Sequence, residues 1–163
     1  MNDVERDVLE KIGEELKTTY NMVPEIAEPI KIPNVAFVKF RNQYQSNVLL
    51  DFLEKVFQGR ILGVTKEDVY TEGLNFIFGQ AKMKGRVALL SISRLNPKFF
   101  SQNEDKELFE DRYIKEAIHE IGHVLGLEHC PTRGCVMNFS NTIGEVDKKT
   151  KYLCDNCKKS LRL

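Results

Sequence analysis

The sequence predicts an α/β domain whose sheet is at least partly parallel. Three observations carry this. Apolar residues recur at helical spacing in three segments, short apolar runs ended by turn residues alternate with those segments, and 163 residues suit one domain with one sizeable core.

In chain order, residues 2–20 place Val4, Val8, Leu9, Ile12 and Leu16 on one helical stripe. Pro24, Pro29 and Pro33 mark the irregular stretch that follows, and residues 34–40, with Val35, Phe37 and Val38, read as β-like. Residues 46–57 gather Val48, Leu49, Phe52, Leu53 and Val56 on one helix face. Residues 61–65, 75–79 and 87–92 are short apolar strands, with a turn around Gly85 before the last. One of the apolar stretches 75–81 and 87–92 should form a sheet edge bordering the functional cleft. A long helix is expected from residue 103 or 104 to 127. Its Ile114, Ala117, Ile118, Ile121, Val124 and Leu125 make one arc toward the sheet, while Arg112, Glu116, His119 and His123 make another. Beyond it the periodicity fades.

Composition narrows the function classes. Lysine plus arginine equals aspartate plus glutamate, 24 each, so no net charge draws the chain to nucleic acid or membrane. The opening MNDVERDVLE lacks the basic and apolar regions of a secretory signal, and no run approaches the roughly 20 apolar residues of a membrane span. A cytoplasmic protein is expected, and in a reducing compartment four cysteines read as metal ligands rather than disulfides.

All three histidines fall between residues 119 and 129, in the pattern H-E-x-x-H-x-x-G-x-x-H. His119 and His123 are four apart, so both imidazoles leave one helix face and can meet one ion. Glu120 sits about 100° around the helix from His119, near the ion but not an obvious ligand, where a base acting on a zinc-bound water would stand. Gly126 can take the left-handed backbone that ends a helix and returns His129 as a third ligand. Three protein ligands leave a fourth position open, the mark of a catalytic zinc. The plain alternative is a surface histidine pair with His129 favoured by the helix dipole. The confinement of every histidine to this pattern argues against it.

Cys130 and Cys135 form one close pair, and Cys154 and Cys157 form a C-x-x-C pair 18 residues further on. That spacing suits a closed, structural four-cysteine zinc site pinning the C-terminal part, with disulfides or buried free thiols as the alternatives.

The histidine pattern is the metzincin signature. With Cys130 directly after His129, then Cys135, Met137, Cys154 and Cys157, the chain resembles the archaemetzincin family of metzincin-type zinc metallopeptidases. The combined signature spans residues 119–157; the earlier part carries no sharp motif. The resemblance implies a compact single α/β domain over 1–163, with a mixed twisted sheet packed on helices and a metzincin-like active-site helix. It divides into a sheet region (1–102), the helix with the third ligand (103–129) and a zinc-pinned C-terminal segment (130–163). It also implies two zinc ions per chain: a catalytic ion on His119, His123 and His129 with Glu120 as general base and acid, and a structural ion on the four cysteines. Met137 would be the methionine of a turn under the metal, although it also reads as core filler. Activity would be peptide-bond hydrolysis on a peptide or protein substrate, aminopeptidase-like in some members.

Other residues are weaker candidates. Arg112 and Glu116 read as an exposed i,i+4 pair. Tyr113 and Tyr152 could each stabilise an oxyanion. Lys148, Lys149, Lys151, Lys158, Lys159 and Arg162 read as a solvated basic face, with no nucleic-acid or membrane partner expected. The rivals to a peptidase are another zinc hydrolase acting on small amides, and a non-catalytic zinc protein or binding module that uses the four-cysteine knuckle.

Overall fold

The architecture follows from one strand, β6 (Val87–Ser91), that is buried along its whole length. In the computed structural model, which describes Met1 and residues 4–163, β6 pairs in parallel with β3 (Ile61–Thr65), from Ile61↔Val87 to Thr65↔Ser91. On its other side it pairs antiparallel with β5 (Gly79–Ala81). The order β3-β6-β5 makes β6 central and β5 an edge, so of the two candidates for the cleft edge it is the stretch reaching residue 81 that forms one. A second three-stranded sheet joins β1 (Phe37–Val38), β2 (Gln43–Gln45) and β4 (Val69–Tyr70). The expected α/β class with mixed sheets is therefore found, divided between two small sheets.

Alternation along β6 sends side chains into two cores. Val87 and Leu89 join Leu49, Leu50 and Leu53 of α2 (Ser46–Val56) on one side. Leu90 joins Ile114, Ala117, Ile118 and Ile121 of α3 (Lys106–Val124) on the other. There α1 (Arg6–Tyr20) packs against α3 through Val8, Ile12, Leu16 and Tyr20, the four-residue spacing of one helix face. The expected beginning of this helix at Asn2 lies outside the described residues; the observed helix starts at Arg6. Residues 75–78 are not strand, and residues 34–36 form a 3-10 turn ahead of a two-residue β1.

α3 is nearly enclosed from Arg112 to Val124. It begins at Asp105, whose carboxylate accepts the Leu108 N–H at 2.9 Å. It stops at Gly126, where the Gly126 N–H reaches His123 O at 3.0 Å and the Leu127 N–H reaches Gly122 O at 2.9 Å. This is the Schellman pattern, which needs the positive φ (99°) that glycine carries without strain.

The polar arc of α3 is covered by the C-terminal segment, in which α4 (Ile143–Lys148) and α5 (Asp155–Leu161) form without helical periodicity in the sequence. α4 is fixed by a capping box between Thr142 and Glu145. Arg112 clamps both oxygens of Asp147 at 2.7 and 2.8 Å and also donates to Leu95 O. Lys115 reaches Val146 O and Asp111. Glu116 pairs with Lys149 at 2.7 Å. The expected exposed Arg112–Glu116 pair is thus corrected: both are buried, and each has a partner over 30 residues away.

Arg112→Ala should destabilise the zinc-loaded protein by about 2–3 kcal/mol in urea unfolding, below the ~3–5 of a fully buried pair because Asp147 keeps contact with water. Arg112→Lys should recover less than half, since an ammonium cannot make the two-pronged contact. A loss under about 0.5 kcal/mol for Arg112→Ala would show that this clamp does not hold α4 down.

Candidate metal centres and the cleft between them

His119 and His123 leave α3 one turn apart, and His129 returns after the Gly126 turn. The three rings sit 4.5–5.4 Å apart between centroids, and one ligand nitrogen of each lies within 4.8 Å of the others. His119 Nδ1 faces Val136 O at 2.9 Å and His123 Nδ1 faces Leu127 O at 2.7 Å. A carbonyl only accepts, so both Nδ1 atoms carry a proton, and in the neutral rings both Nε2 atoms present bare lone pairs. Those Nε2 atoms face each other at 3.0 Å, and two neutral rings have no proton there to share. Two lone pairs at that distance repel unless a cation lies between them. Zinc with bonds of about 2.0–2.1 Å sets neighbouring nitrogens about 3.3 Å apart. Burial also pushes the pKa of His119 well below its ordinary value and lowers those of His123 and His129, with Lys149 adding to each shift. Neutral imidazole, the metal-binding form, is therefore favoured.

Glu120 is buried one residue along. Burial drives its carboxyl well above the usual range, the Glu116 carboxylate adds to this, and Lys149 opposes it. Among the described residues its Oε2 has no hydrogen-bond partner. Room for it comes from Gly79 on β5: a Cβ there would lie 2.5–2.7 Å from Glu120 Oε1, Cγ and Cδ. Beneath the histidines, Met137 is fully buried against Gly122, where a Cβ would meet its sulfur at 2.5 Å. Met137 is thus packing in the turn under the histidines, consistent with both readings of it.

The four cysteine sulfurs also gather within 4.8 Å. Cys130 Sγ and Cys154 Sγ are 3.7 Å apart, and Cys135 Sγ and Cys157 Sγ are 3.8 Å apart. A disulfide needs about 2.05 Å, whereas a zinc tetrahedron with bonds of about 2.3 Å has edges of about 3.8 Å. All four are free thiols, and Cys154 is pulled down to about 6, chiefly by the Cys157 backbone N–H, so a thiolate is at hand. The donor set and its spacing fit a closed zinc site.

A cleft of about 520 Å³ opens in front of the histidines. Gly79, Gln80 and Ala81 of the β5 edge line one side, and Phe139, Ser140 and Asn141 another. Leu74, Ile77 and Met83 make it largely apolar, with carboxylates at Glu116, Glu120 and Glu128. The sequence reading missed Gly79, Ser140 and Lys149. The close of the NFIFG run on a glycine was the one available signal. Two oxyanion candidates are corrected: Tyr113 is buried in the α1–α3 core against Phe109, Tyr152 is an exposed surface residue, and neither lines the cleft. Lys149, expected on a solvated basic face, is 3% exposed.

The model of peptidase family M54 matches residues 8–163, so the chain belongs to that family of zinc metallopeptidases. The archaemetzincin of Methanocaldococcus jannaschii is 41% identical over 162 residues, covering 99% of this chain and 89% of that protein. That of Methanopyrus kandleri is 46% identical over 134 residues, covering 81% and 73%. The crystal structure of the Methanopyrus kandleri protein superposes with a TM-score of 0.87 at 38% identity, covering 99% of this chain and 89% of that one. The Archaeoglobus fulgidus archaemetzincin, solved in complex with malonate, gives 0.84 at 35%, covering 96% and 94%. Peptides or proteins are therefore the substrates, and the binding-module alternative is not favoured.

Gly79 has no positive φ, so alanine is allowed by the backbone there and only the crowding against Glu120 matters. Gly79→Ala should keep its zinc content and fold, with at most the ~1–3 kcal/mol loss of an overpacked site, while losing about 10²-fold in kcat, the cost of displacing a reacting group by about 1 Å. Unchanged kcat would mean that Glu120 has room elsewhere.

Proposed function

We propose that this member of peptidase family M54 hydrolyses peptide bonds at an open zinc site held by His119, His123 and His129, with Glu120 as general base and then general acid. Cys130, Cys135, Cys154 and Cys157 would hold a second, structural zinc. The observation that carries this reading is the pair of bare Nε2 atoms at 3.0 Å, each with its Nδ1 proton committed to a backbone carbonyl. Bound zinc would supply Lewis acidity and an open position for activating water.

The chain's own residues divide the remaining work. The β5 edge offers backbone N–H and C=O groups to an extended peptide, aligning its carbonyl toward the histidines. Glu120, unpartnered at Oε2 and backed by Gly79, accepts the proton of the attacking water and passes it to the departing amine. Its buried setting, which raises its proton affinity, suits a group that must both take and return a proton. Ser140 Oγ, buried at the cleft and without a partner among the described residues, is a ready donor to the peptide backbone. Cleavage would be aminopeptidase-like, supported by Glu128, a carboxylate on the cleft that can meet a free α-ammonium group.

In this reading residues 1–102 supply the sheet and cleft edge, 103–129 the histidine set, and 130–163 the second ion. Four free thiols spaced as ligands fit a cytoplasmic, reducing environment. Among the described residues no helix is long and apolar enough to cross a membrane.

Elemental analysis of purified protein should give two zinc ions per chain, and one ion in fully folded, metal-saturated protein would refute the division of ligands. Glu120→Gln should retain both ions and lose about 10²–10⁴-fold in kcat. Full turnover by the zinc-replete variant would exclude Glu120 as the base.

A further inference from the structure

A second cavity, of about 600 Å³, adjoins the histidine cleft and shares His129 and Phe139 with it. Its chemistry is opposite. The cleft carries the carboxylates of Glu116, Glu120 and Glu128, whereas the second cavity is lined by Arg133, Lys148 and Lys149 with Glu145 as its one acid. Glu145 is already occupied: its Oε2 accepts from Asn141 N, Thr142 N and Thr142 Oγ1 at 2.8–3.0 Å, closing the α4 N-terminus. Lys149 forms the buried floor, and its charge is matched from behind by Glu116 at 2.7 Å. That leaves Arg133 and Lys148 against Glu145, an excess of one positive charge. Among the described residues Arg133 and Lys148 make no side-chain hydrogen bond or ion pair, and Lys148 acts only through its field on Glu145. The backbone around the cavity is also held: Asn138 donates to Cys130 O and Thr132 O and accepts the Gly134 N–H at 3.2 Å.

We propose that this cavity is a subsite for a carboxylate of the peptide substrate, on the side of His129 away from β5. The carboxylate comes from an acidic side chain or from a free C-terminus. The guanidinium of Arg133 is the principal contact, since its planar fork matches a carboxylate, and Lys148 adds a second charge. Phe139 lies 5.0 Å from His129 between ring centroids and packs the peptide chain where it passes from cleft to cavity. The proposal rests on the peptidase reading, because only a peptide lying across His129 spans both cavities. It gives the substrate a direction: apolar and amino-terminal residues in the β5 cleft, an anionic group beyond the cleaved bond.

The test uses zinc-loaded protein and one peptide scaffold ending in Gln-amide, Glu-amide, Lys-amide or Gln with a free C-terminal acid, with cut positions read by mass spectrometry. For wild type, kcat/KM for Glu-amide or the free acid should exceed that for Gln-amide by about tenfold, the scale of one charge pair at a partly exposed site. Preference for Glu-amide assigns a side chain, and preference for the free acid assigns the C-terminus. The ratio should fall to near one in Arg133→Ala/Lys148→Ala and turn toward Lys-amide in Arg133→Glu. Fluorescence anisotropy with labelled peptides on zinc-loaded Glu120→Gln protein reads the same ratio in affinity without turnover. An acid preference in binding with no cleavage by wild type would sink the peptidase reading and keep the subsite. Cleavage with a wild-type acid-to-amide ratio near one, or a ratio the Arg133 and Lys148 substitutions leave intact, would overturn the subsite and keep the peptidase.

Discussion

One short loop, residues 129–138, carries members of both candidate ligand sets, and the rest of the site depends on it. It begins with His129 and Cys130, carries Cys135, and ends beneath α3 with Met137. The Cys130 N–H reaches Met137 O at 2.9 Å, which closes the loop on itself, and Asn138 Nδ2 donates to Cys130 O and Thr132 O across it. Val136 O, between two of these anchor points, receives the Nδ1 proton of His119. The loop thus delivers one imidazole, orients a second and supports both from below. Only Cys135, Val136 and Met137 at its end are buried, so burial alone is a weak restraint on its first half. Four sulfurs spaced as the edges of a tetrahedron are a strong one. The apparent binding free energy of a structural zinc, about 10–16 kcal/mol, is as large as the net stability of a typical domain, about 5–15 kcal/mol.

The second constraint is ionic. α3 buries Arg112, Lys115 and Glu116 one or two turns before its first histidine, and residues 146–149 meet each of them. Buried ion pairs contribute little net stability compared with apolar packing, but breaking one leaves a charge without a partner, so they resist any other docking of this segment. Lys149 has a further effect. Sitting beside the histidines, it disfavours their protonation and opposes the rise in the Glu120 pKa caused by burial and Glu116. The same ammonium closes the floor of the neighbouring cavity, so the C-terminal segment shapes the charge on both sides of His129.

What could be read from the sequence follows from the range of the interactions. Helices with one apolar face announce themselves by period, and α2 and the start of β3 lie where the pattern put them. The candidate ligand sets are local as well: spacings of four residues on a helix and of two between cysteines are geometric facts of the backbone. Two-residue strands such as β1 and β4 carry too few side chains for any period, and their pairing depends on distant partners. β5 was displaced toward residue 75 because Phe76 and Phe78 are apolar for the sake of the core, not of a ladder. Arg112 and Glu116 looked solvent-facing because nothing local reveals that a segment 30 residues on will cover them, and Lys149 because nothing local reveals that it docks on α3. Gly79 gave no signal beyond its place at the end of the NFIFG run, since its role is to have no side chain opposite Glu120.

The claim that the closed cysteine site sets up the open histidine site is tested most directly by the zinc affinity of the histidines when the cysteines cannot fill. In Cys154→Ser/Cys157→Ser protein, competition against a chromophoric chelator reports that affinity alone. The account predicts a fall of about 10–100-fold relative to wild type, the loss typical when groups that orient metal ligands are removed. Unchanged affinity at the histidines, with the cysteine site empty, would show that residues 129–138 reach their position without it and would contradict the account.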